Sequence, residues 1–241
     1  MLYTRPDIYD ALYNRFQEDI PFYLSLADET AGPVCELACG TGRVTVPLAR
    51  GGHEIMAIDS SPEMLAVAEE RARNESVPAG RILFAEGDMR SPPEDGRFGL
   101  VIIPLHSLSH LHTNEDVIGC LESIRRSLRP EGRLAFAVHN PDPAVLARDP
   151  DDVARIHRDH ATISAYESSS YDTVTQLLDL RWFVETPQGT KRFDYSIRLF
   201  FPQELLALLY CTGFVVEGRF GWYDRSPFTS DSGTQVVIAR R

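Results

Sequence analysis

The stretch Glu36-Leu37-Ala38-Cys39-Gly40-Thr41-Gly42 ends a short apolar run, residues 33–38, and leads into a segment with helical spacing, residues 43–50. Gly40 and Gly42 permit backbone conformations and a close ligand approach that a β-carbon would obstruct. A strand, a glycine-rich turn and a helix in this order predict a loop on which a ligand can lie directly.

Alternating strand and helix patterns continue from this loop to about residue 140. The strand patterns are residues 53–58, 81–85, 98–105 and 132–138, and the helical patterns between them are residues 62–74 and 114–128. Buried strands that alternate with helices are typical of an open parallel sheet covered on both faces. Such a sheet binds its ligand at the carboxyl ends of the strands, near the point where the strand order reverses.

The pattern is different at both ends of the chain. Two helical patterns open it, at residues 7–16 and 18–30. After residue 140, β-branched and aromatic runs at 161–185 and 191–200, with a turn at Gln188-Gly189, indicate an antiparallel insertion. A helix at 202–211 and a strand pair at 214–222 and 234–239 close the chain. We therefore expect a helical segment at 1–32, a sheet domain at 33–140 and 201–241, and an inserted β subdomain at 141–200.

Composition and charge limit the partners and the compartment. The formal net charge of -11 disfavours a nucleic-acid partner, because the field of the protein repels a polyanion. The basic run at residues 124–129 is interpreted as the solvated end of a helix. No export signal and no apolar run long enough to span a bilayer is present, so a cytoplasmic location without membrane association is expected. The spacing of the four cysteines predicts no metal site.

The ligand class follows from acidic residues around the loop. A phosphate-binding loop would read Gly-x-Gly-x-x-Gly, but Thr45 stands where the third glycine belongs. Glu36 would repel a phosphate, whereas it can interact with the ammonium group of an amino-acid-like ligand directly or through water. This charge favours S-adenosylmethionine over NAD. Asp59 ends the second strand 17 positions beyond Gly42, where a carboxylate can accept both ribose hydroxyls.

These motifs resemble a known family. Glu36-x-x-x-Gly40-x-Gly42, Asp59, Asp88-Met89 and the end of the fourth strand at Pro104 are similar to the ordered motifs of class I S-adenosylmethionine-dependent methyltransferases. The later part, from Arg198 to Gly213-Phe214, resembles the small-molecule branch, which includes aminosugar N-methyltransferases and glycine or sarcosine methyltransferases. The resemblance implies an α/β, Rossmann-like methyltransferase fold. Its mostly parallel seven-stranded sheet carries helices on both faces, with the inserted antiparallel β subdomain over the active site.

The resemblance also implies roles for individual residues. The opening helix, with Tyr9, resembles the segment that covers the cofactor in the family. The expected cofactor-binding residues, which line the methionine, ribose and adenine moieties of S-adenosylmethionine, are Tyr9, Glu36, Ala38, Gly40, Thr41, Gly42, Asp59, Ser60, Met64, Asp88, Met89, Leu105 and His106.

The acceptor side is predicted from fewer residues. His110 follows the fourth strand and is predicted to remove a proton from the acceptor, while His106, His110 and Arg198 are the candidate substrate-binding residues. Arg198 is suited to pair with a carboxylate, although a surface ion pair is an equal alternative. The predicted reaction is direct transfer of the methyl group to a nitrogen or oxygen atom of a small molecule. The alternatives are an NAD(P)-dependent oxidoreductase and a non-catalytic S-adenosylmethionine-binding module, and the sequence leaves monomer and homodimer open.

Overall fold

The computed structural model describes residues 2–147, 149, 154–160, 163–187 and 189–241. Its helices are α1 (Pro6–Tyr13), α2 (Ile20–Glu29), α3 (Thr45–Arg50), α4 (Pro62–Asn74), α5 (Asn114–Ser127), α6 (Pro143–Leu146) and α7 (Pro202–Cys211). Its strands are β1 (Val34–Leu37), β2 (Ile55–Asp59), β3 (Ile82–Glu86), β4 (Phe98–Ile103), β5 (Leu128–His139), β6 (Ala154–His160), β7 (Ile163–Asp172), β8 (Leu177–Thr186), β9 (Gly189–Arg198), β10 (Val215–Phe220) and β11 (Thr234–Arg240). Two 3-10 turns lie at Leu2–Thr4 and Ser107–His110.

Seven strands form the main sheet in the order β10-β11-β5-β4-β1-β2-β3. The strands from β5 to β3 are parallel, β11 is antiparallel to β5, and β10 is antiparallel to β11. Since β1 lies between β4 and β2, the strand order reverses there, and the glycine loop after β1 lies at this switch point. The predicted fold class is confirmed.

Helices cover both faces of the sheet and bury its central strands. All residues of β1 and β4 are buried, as expected for parallel strands that have helices on each face. One core joins the sheet to α5 and α7, and the other joins it to α2, α3 and α4. The strand pattern at 98–105 ends early, at Ile103, because Leu105 and His106 adopt left-handed conformations with φ of 50° and 62°.

The insertion forms a second, four-stranded antiparallel sheet in the order β6-β7-β8-β9. The run predicted at 161–185 is two strands, because Asp172 accepts a hydrogen bond from the backbone N of Val174 at 2.7 Å and the chain turns there. Strand β6 was not predicted, and Ala161 and Gln188 lie outside the described residues. One face of this sheet packs on α1, where Ile8 and Leu12 join Trp182 in a third core.

Candidate active site

The glycine loop packs closely on the helix that follows β2. Gly42 has a φ of 77°, and a β-carbon there would lie 3.1 Å from Cβ of Ala68 in α4. Gly40 has a φ of 57°, and its β-carbon would lie 3.7 Å from the ring of Tyr9. The absence of side chains at these two positions therefore keeps the space between the loop, α4 and α1 small.

Hydrogen bonds to Asp10 hold helix α1 against the glycine loop and α4. Asp10 accepts a hydrogen bond from Oγ1 of Thr41 at 2.6 Å and one from Arg71 at 2.7 Å. Between Tyr9 and the loop lies a crevice of only about 10 Å³, which is room for about one water molecule. Its lining includes the predicted residues Tyr9, Glu36, Ala38, Thr41 and Leu105. This crevice is smaller than a ligand of nucleotide size.

A buried ion pair fixes α2 to the residue after the loop. Nη1 and Nη2 of Arg43 each lie 2.6 Å from a carboxylate oxygen of Asp19. The side chains are 6% and 0% exposed. Because a buried charge left alone is costly, this pair holds Asp19, and with it the start of α2, against the loop. This contact joins residues 24 positions apart and was not predicted from the sequence.

Glu36 is 1% exposed, and its Oε2 accepts a hydrogen bond from Oγ1 of Thr45 at 2.6 Å. Thr45, which replaces the third glycine of a dinucleotide loop, therefore orients the carboxyl group. Burial raises the pKa of Glu36 to about 8. The group is mostly protonated at neutral pH, and a cationic partner would lower this pKa again.

Asp59 ties the end of β2 to the glycine loop. Its Oδ2 accepts from the backbone N of Gly40 at 2.7 Å, and its Oδ1 accepts from the backbone N of Ser61 at 2.9 Å. Burial raises its pKa, although these hydrogen bonds oppose the shift. Ser61 caps α4, since its Oγ accepts from the backbone N of Met64 at 3.3 Å. Ribose binding by Asp59 stays a prediction.

The residues predicted for adenine and the remaining cofactor contacts differ in accessibility. Asp88 is exposed and paired with Arg90, which lowers its pKa and also reaches Asp116 at 2.6 Å. An adenine amino group at Asp88 would share the carboxylate with this guanidinium. Met89 packs partly buried against the sheet core. Ser60 is exposed and Met64 is 1% exposed, and cofactor contacts of all four predicted residues stay predictions.

Two histidines stack at the carboxyl ends of β4 and β5. The rings of His106 and His139 are 3.8 Å apart and inclined by 19°. Nδ1 of His106 is buried and has no hydrogen-bond partner among the described residues. Desolvation lowers the pKa of both side chains, that of His139 to about 4, so both imidazoles are neutral near pH 7. His139 was not predicted, although its position just after a strand pattern could have indicated it.

His110 is engaged by a residue that the sequence analysis also missed. Its Nε2 lies 2.7 Å from the hydroxyl of Tyr3, and burial lowers the pKa of His110 to about 4. The rings of Tyr3 and Tyr195 are 6.4 Å apart, which brings the N-terminus, the 3-10 turn after β4 and the second sheet together. No sequence signal singles out Tyr3, because it precedes the first helical pattern.

Arg198 is 4% exposed and lies outside the crevice. Its Nη2 donates to Oδ1 of Asn114 at 2.6 Å and to Oε1 of Glu204, and its guanidinium lies 5.0 Å from the ring centroid of Phe200. Arg198 therefore links β9 to α5 and α7, and an acceptor carboxylate would compete with Glu204. Substrate binding by Arg198 stays a prediction.

The described residues contain no group of three or more His, Cys, Asp or Glu side chains that could hold a metal ion. None of the helices in these ranges is long and apolar enough to cross a membrane. A wider depression of about 550 Å³ lies on the second sheet, lined by polar side chains such as Ser168, Asp179 and Arg181. It is separate from the crevice at the glycine loop, and nothing in the structure assigns it a role.

The strand order, the glycine loop at the switch point and the acidic residues at the ends of β1 and β2 define a class I S-adenosylmethionine-dependent methyltransferase. Residues 34–132 match a family model described as a methyltransferase domain. The chain is 34% identical to YqeM of Bacillus subtilis, which is described as a methyltransferase, over 76% of this chain and 73% of that protein. The chain therefore belongs to the methyltransferase family, its cofactor is S-adenosylmethionine, and the resemblance recognised in the sequence is confirmed.

Two further comparisons cover more of the chain. The cypemycin N-terminal methyltransferase of a Streptomyces species is 26% identical over 86% of this chain and 82% of that protein. The structure of the CcbJ methyltransferase from Streptomyces caelestis superposes with a TM-score of 0.85 at 26% identity, covering 98% of this chain and 95% of that chain. The similarity thus includes the N-terminal segment and the second sheet as well as the main sheet and its helices.

Proposed function

We propose that the protein transfers the methyl group of S-adenosylmethionine to a nitrogen or oxygen atom of a small-molecule acceptor by direct displacement. The observation that carries this proposal is the crevice at the switch point, where a buried carboxyl group, a glycine turn and the ring of Tyr9 meet. The turn after β4 borders the same crevice through Leu105 and Ser107. The acceptor side therefore begins next to the histidine side chains that follow β4 and to Tyr3, which packs on His110.

The residues at the ends of β1, β2 and β3 suit the cofactor. Glu36, once ionised, holds the ammonium group, and Asp59 accepts the ribose hydroxyls. Asp88 and Met89 frame the adenine. Gly40 and Gly42 let the backbone approach the methionine moiety closely. Bound S-adenosylmethionine supplies an electrophilic methyl group on a sulfonium, and S-adenosylhomocysteine is the leaving product.

The acceptor is proposed to be small because two segments of the chain are proposed to cover the site. Residues 1–32 act as a lid on the cofactor, and residues 141–200 act as a cover over the acceptor, so a polymer would have to displace both. The net charge of -11 further disfavours nucleic acid. The cypemycin enzyme is named for N-terminal methylation, which supports nitrogen as one acceptor atom.

In this proposal, alignment of the reacting atoms contributes much of the rate enhancement. Displacement at a methyl group needs the nucleophile, the methyl carbon and the sulfur in line, and holding them so removes a large entropic cost. The aromatic side chains of Tyr3, Tyr9 and Tyr195 border the acceptor side and exclude water. His106, His110 and Arg198 are retained as candidate acceptor-binding residues, with His110 in the proton-accepting role.

The test is methyl transfer itself. The full chain is incubated with S-adenosylmethionine labelled in its methyl group and with separate pools of small amines, amino sugars, phenols and carboxylates. The proposal predicts a labelled product from one pool and S-adenosylhomocysteine in equal amount. Release of S-adenosylhomocysteine without a labelled small molecule, or label found only on added tRNA or protein, would contradict it.

A further inference from the structure

The contact between Tyr3 and His110 joins two turns that are far apart in the chain. The hydroxyl of Tyr3 lies 2.7 Å from Nε2 of His110, across a sequence separation of 107 residues. The two rings meet edge to face, with centroids 5.2 Å apart. Tyr3 belongs to the N-terminal 3-10 turn, and His110 ends the 3-10 turn after β4.

Tyr3 is held at the mouth of the predicted cofactor site. Its carbonyl oxygen accepts a hydrogen bond from Oγ of Ser61 at 2.9 Å, and the neighbouring Leu2 is 2% exposed within the core under the second sheet. Burial raises the pKa of Tyr3, and nearby Tyr9 and Asp59 add to the shift. Its hydroxyl group thus keeps its proton near neutral pH.

The same surroundings keep both partners of the hydrogen bond uncharged. Burial, with a smaller contribution from His112, lowers the pKa of His110 to about 4, so its ring is neutral. A neutral imidazole has one donor and one acceptor nitrogen, and a protonated phenol hydroxyl can donate or accept. When the proton of the ring is on Nδ1, Tyr3 donates to Nε2 and a lone pair on Tyr3 Oη is left to accept another hydrogen bond. The titratable side chains that interact with the pair are Tyr9, Tyr13, Asp59, His112 and Tyr195.

We propose that Tyr3 and His110 form the proton-accepting pair of the methyl transfer, with Tyr3 as the group that contacts the acceptor. As the bond between the acceptor nitrogen or oxygen and the methyl carbon forms, the bond between that carbon and sulfur breaks, and its electron pair stays on sulfur. The N–H or O–H proton of the acceptor moves to Tyr3 Oη, and the proton of Tyr3 moves to Nε2 of His110, which then releases a proton to water. His110 is thus a positioning residue that acts through Tyr3. This inference rests on the proposed function.

The hydrogen bond is tested without an acceptor. In the full chain bound to S-adenosylhomocysteine, imidazole ¹⁵N NMR should show His110 protonated on Nδ1 with an accepting Nε2. Replacement of Tyr3 by phenylalanine should shift the Nε2 resonance and leave that of His53 unchanged. A proton on Nε2, or a His110 resonance that does not respond to Tyr3→Phe, would overturn the pair.

The catalytic role is tested by kinetics with three probes: glucosamine, glycinamide and catechol. Tyr3→Phe and His110→Gln should each lower kcat by about 100-fold with little change in KM, and the double variant should lose no more than either alone. In the wild type, kcat should fall at acidic pH as His110 becomes protonated. Both variants should lose this dependence of kcat on pH. The affinity for S-adenosylmethionine should be unchanged. The controls Tyr210→Phe, on the exposed face of α7, and His53→Gln, before β2, should match the wild type.

The possible failures are distinguishable. Additive losses in the double variant, or a Tyr3→Phe enzyme with wild-type kcat and pH profile, would overturn the proton-accepting pair while methyl transfer stands. A fall in cofactor affinity and thermal stability without a change in the pH profile would mean that the contact only holds the N-terminal segment in place. This result would also overturn the proton-accepting pair. Wild-type protein that binds S-adenosylmethionine and methylates none of the probes would contradict the proposed acceptor class, and the imidazole resonances would still decide the hydrogen bond.

Discussion

Binding of S-adenosylmethionine should change the protonation of Glu36, and the direction of proton exchange should reverse with pH. With a pKa of about 8, Glu36 is about 90% protonated at pH 7 and about 10% protonated at pH 9. The α-amino group of the ligand has an ordinary pKa of about 8 and is charged in the same proportions. An ion pair between them needs an ionised Glu36 and a charged amino group.

The size of the effect follows from these fractions. At pH 7, binding should release about 0.8 proton, because Glu36 loses about 0.9 and the amino group gains about 0.1. At pH 9 the same binding should take up about 0.8 proton, with no net exchange near pH 8. Replacement by Gln removes the share of Glu36, so the variant should take up about 0.1 proton at pH 7 and about 0.9 at pH 9. Near pH 8, loss of a hydrogen bond between charged groups should weaken binding by about 10- to 100-fold.

Isothermal titration calorimetry in two buffers of different ionisation enthalpy measures this exchange. The full chain is titrated with S-adenosylmethionine at pH 7, 8 and 9, for the wild type and Glu36→Gln. Proton exchange in the wild type that equals that of the variant at pH 7, or that keeps one sign from pH 7 to 9, would refute the assignment of Glu36 to the ammonium group.

In the cofactor-free protein, a raised pKa in the folded state means that Glu36 stabilises the fold below its ordinary value of 4.5 and that this stability is lost as the pH rises through about 8. Glu36→Gln should therefore raise the midpoint of thermal unfolding at pH 9 but not at pH 4, and a lower midpoint at pH 9 would contradict this. Asp19→Asn leaves the buried guanidinium of Arg43 without its ionic partner and should cost about 3–5 kcal/mol in urea unfolding. Arg50→Gln, in an exposed pair, should cost less than about 1 kcal/mol, and equal losses would contradict the difference. Asp59→Asn should weaken the binding of S-adenosylhomocysteine by about 10- to 100-fold in equilibrium dialysis, and unchanged affinity would reject the ribose role.

Local signals in the sequence predicted most of the main sheet and its helices. The glycine loop, the strand patterns and Pro62 at the start of α4 depend on neighbouring residues, so a single sequence predicts them. The helix pattern at 62–74 coincides with α4, and the pattern at 202–211 coincides with α7. Strand β6 and the turn after Asp172 were missed because β-branched and aromatic residues continue through that part of the insertion.

Contacts between distant residues were not predictable in this way. Tyr3 reaches His110 across 107 residues, and Arg43 reaches Asp19 across 24. His139 was overlooked because its stacking on His106 depends on β4 and β5 being neighbours in the sheet. The candidate residues were therefore chosen by their place at strand ends, whereas their partners are set by the tertiary fold.

The position of the cofactor is tested most directly by two matched glycine substitutions. Gly40 and Gly80 both have left-handed backbones, with φ of 57° and 82°, but a β-carbon at Gly40 would enter the crevice under Tyr9, whereas one at Gly80 would meet nothing within 4 Å. If S-adenosylmethionine lies on the glycine loop, Gly40→Ala should lower its affinity by about tenfold or more in calorimetry, a loss of about 1.4 kcal/mol. Gly80→Ala should bind it as the wild type does. Wild-type affinity in the folded Gly40→Ala protein would contradict a cofactor on this loop.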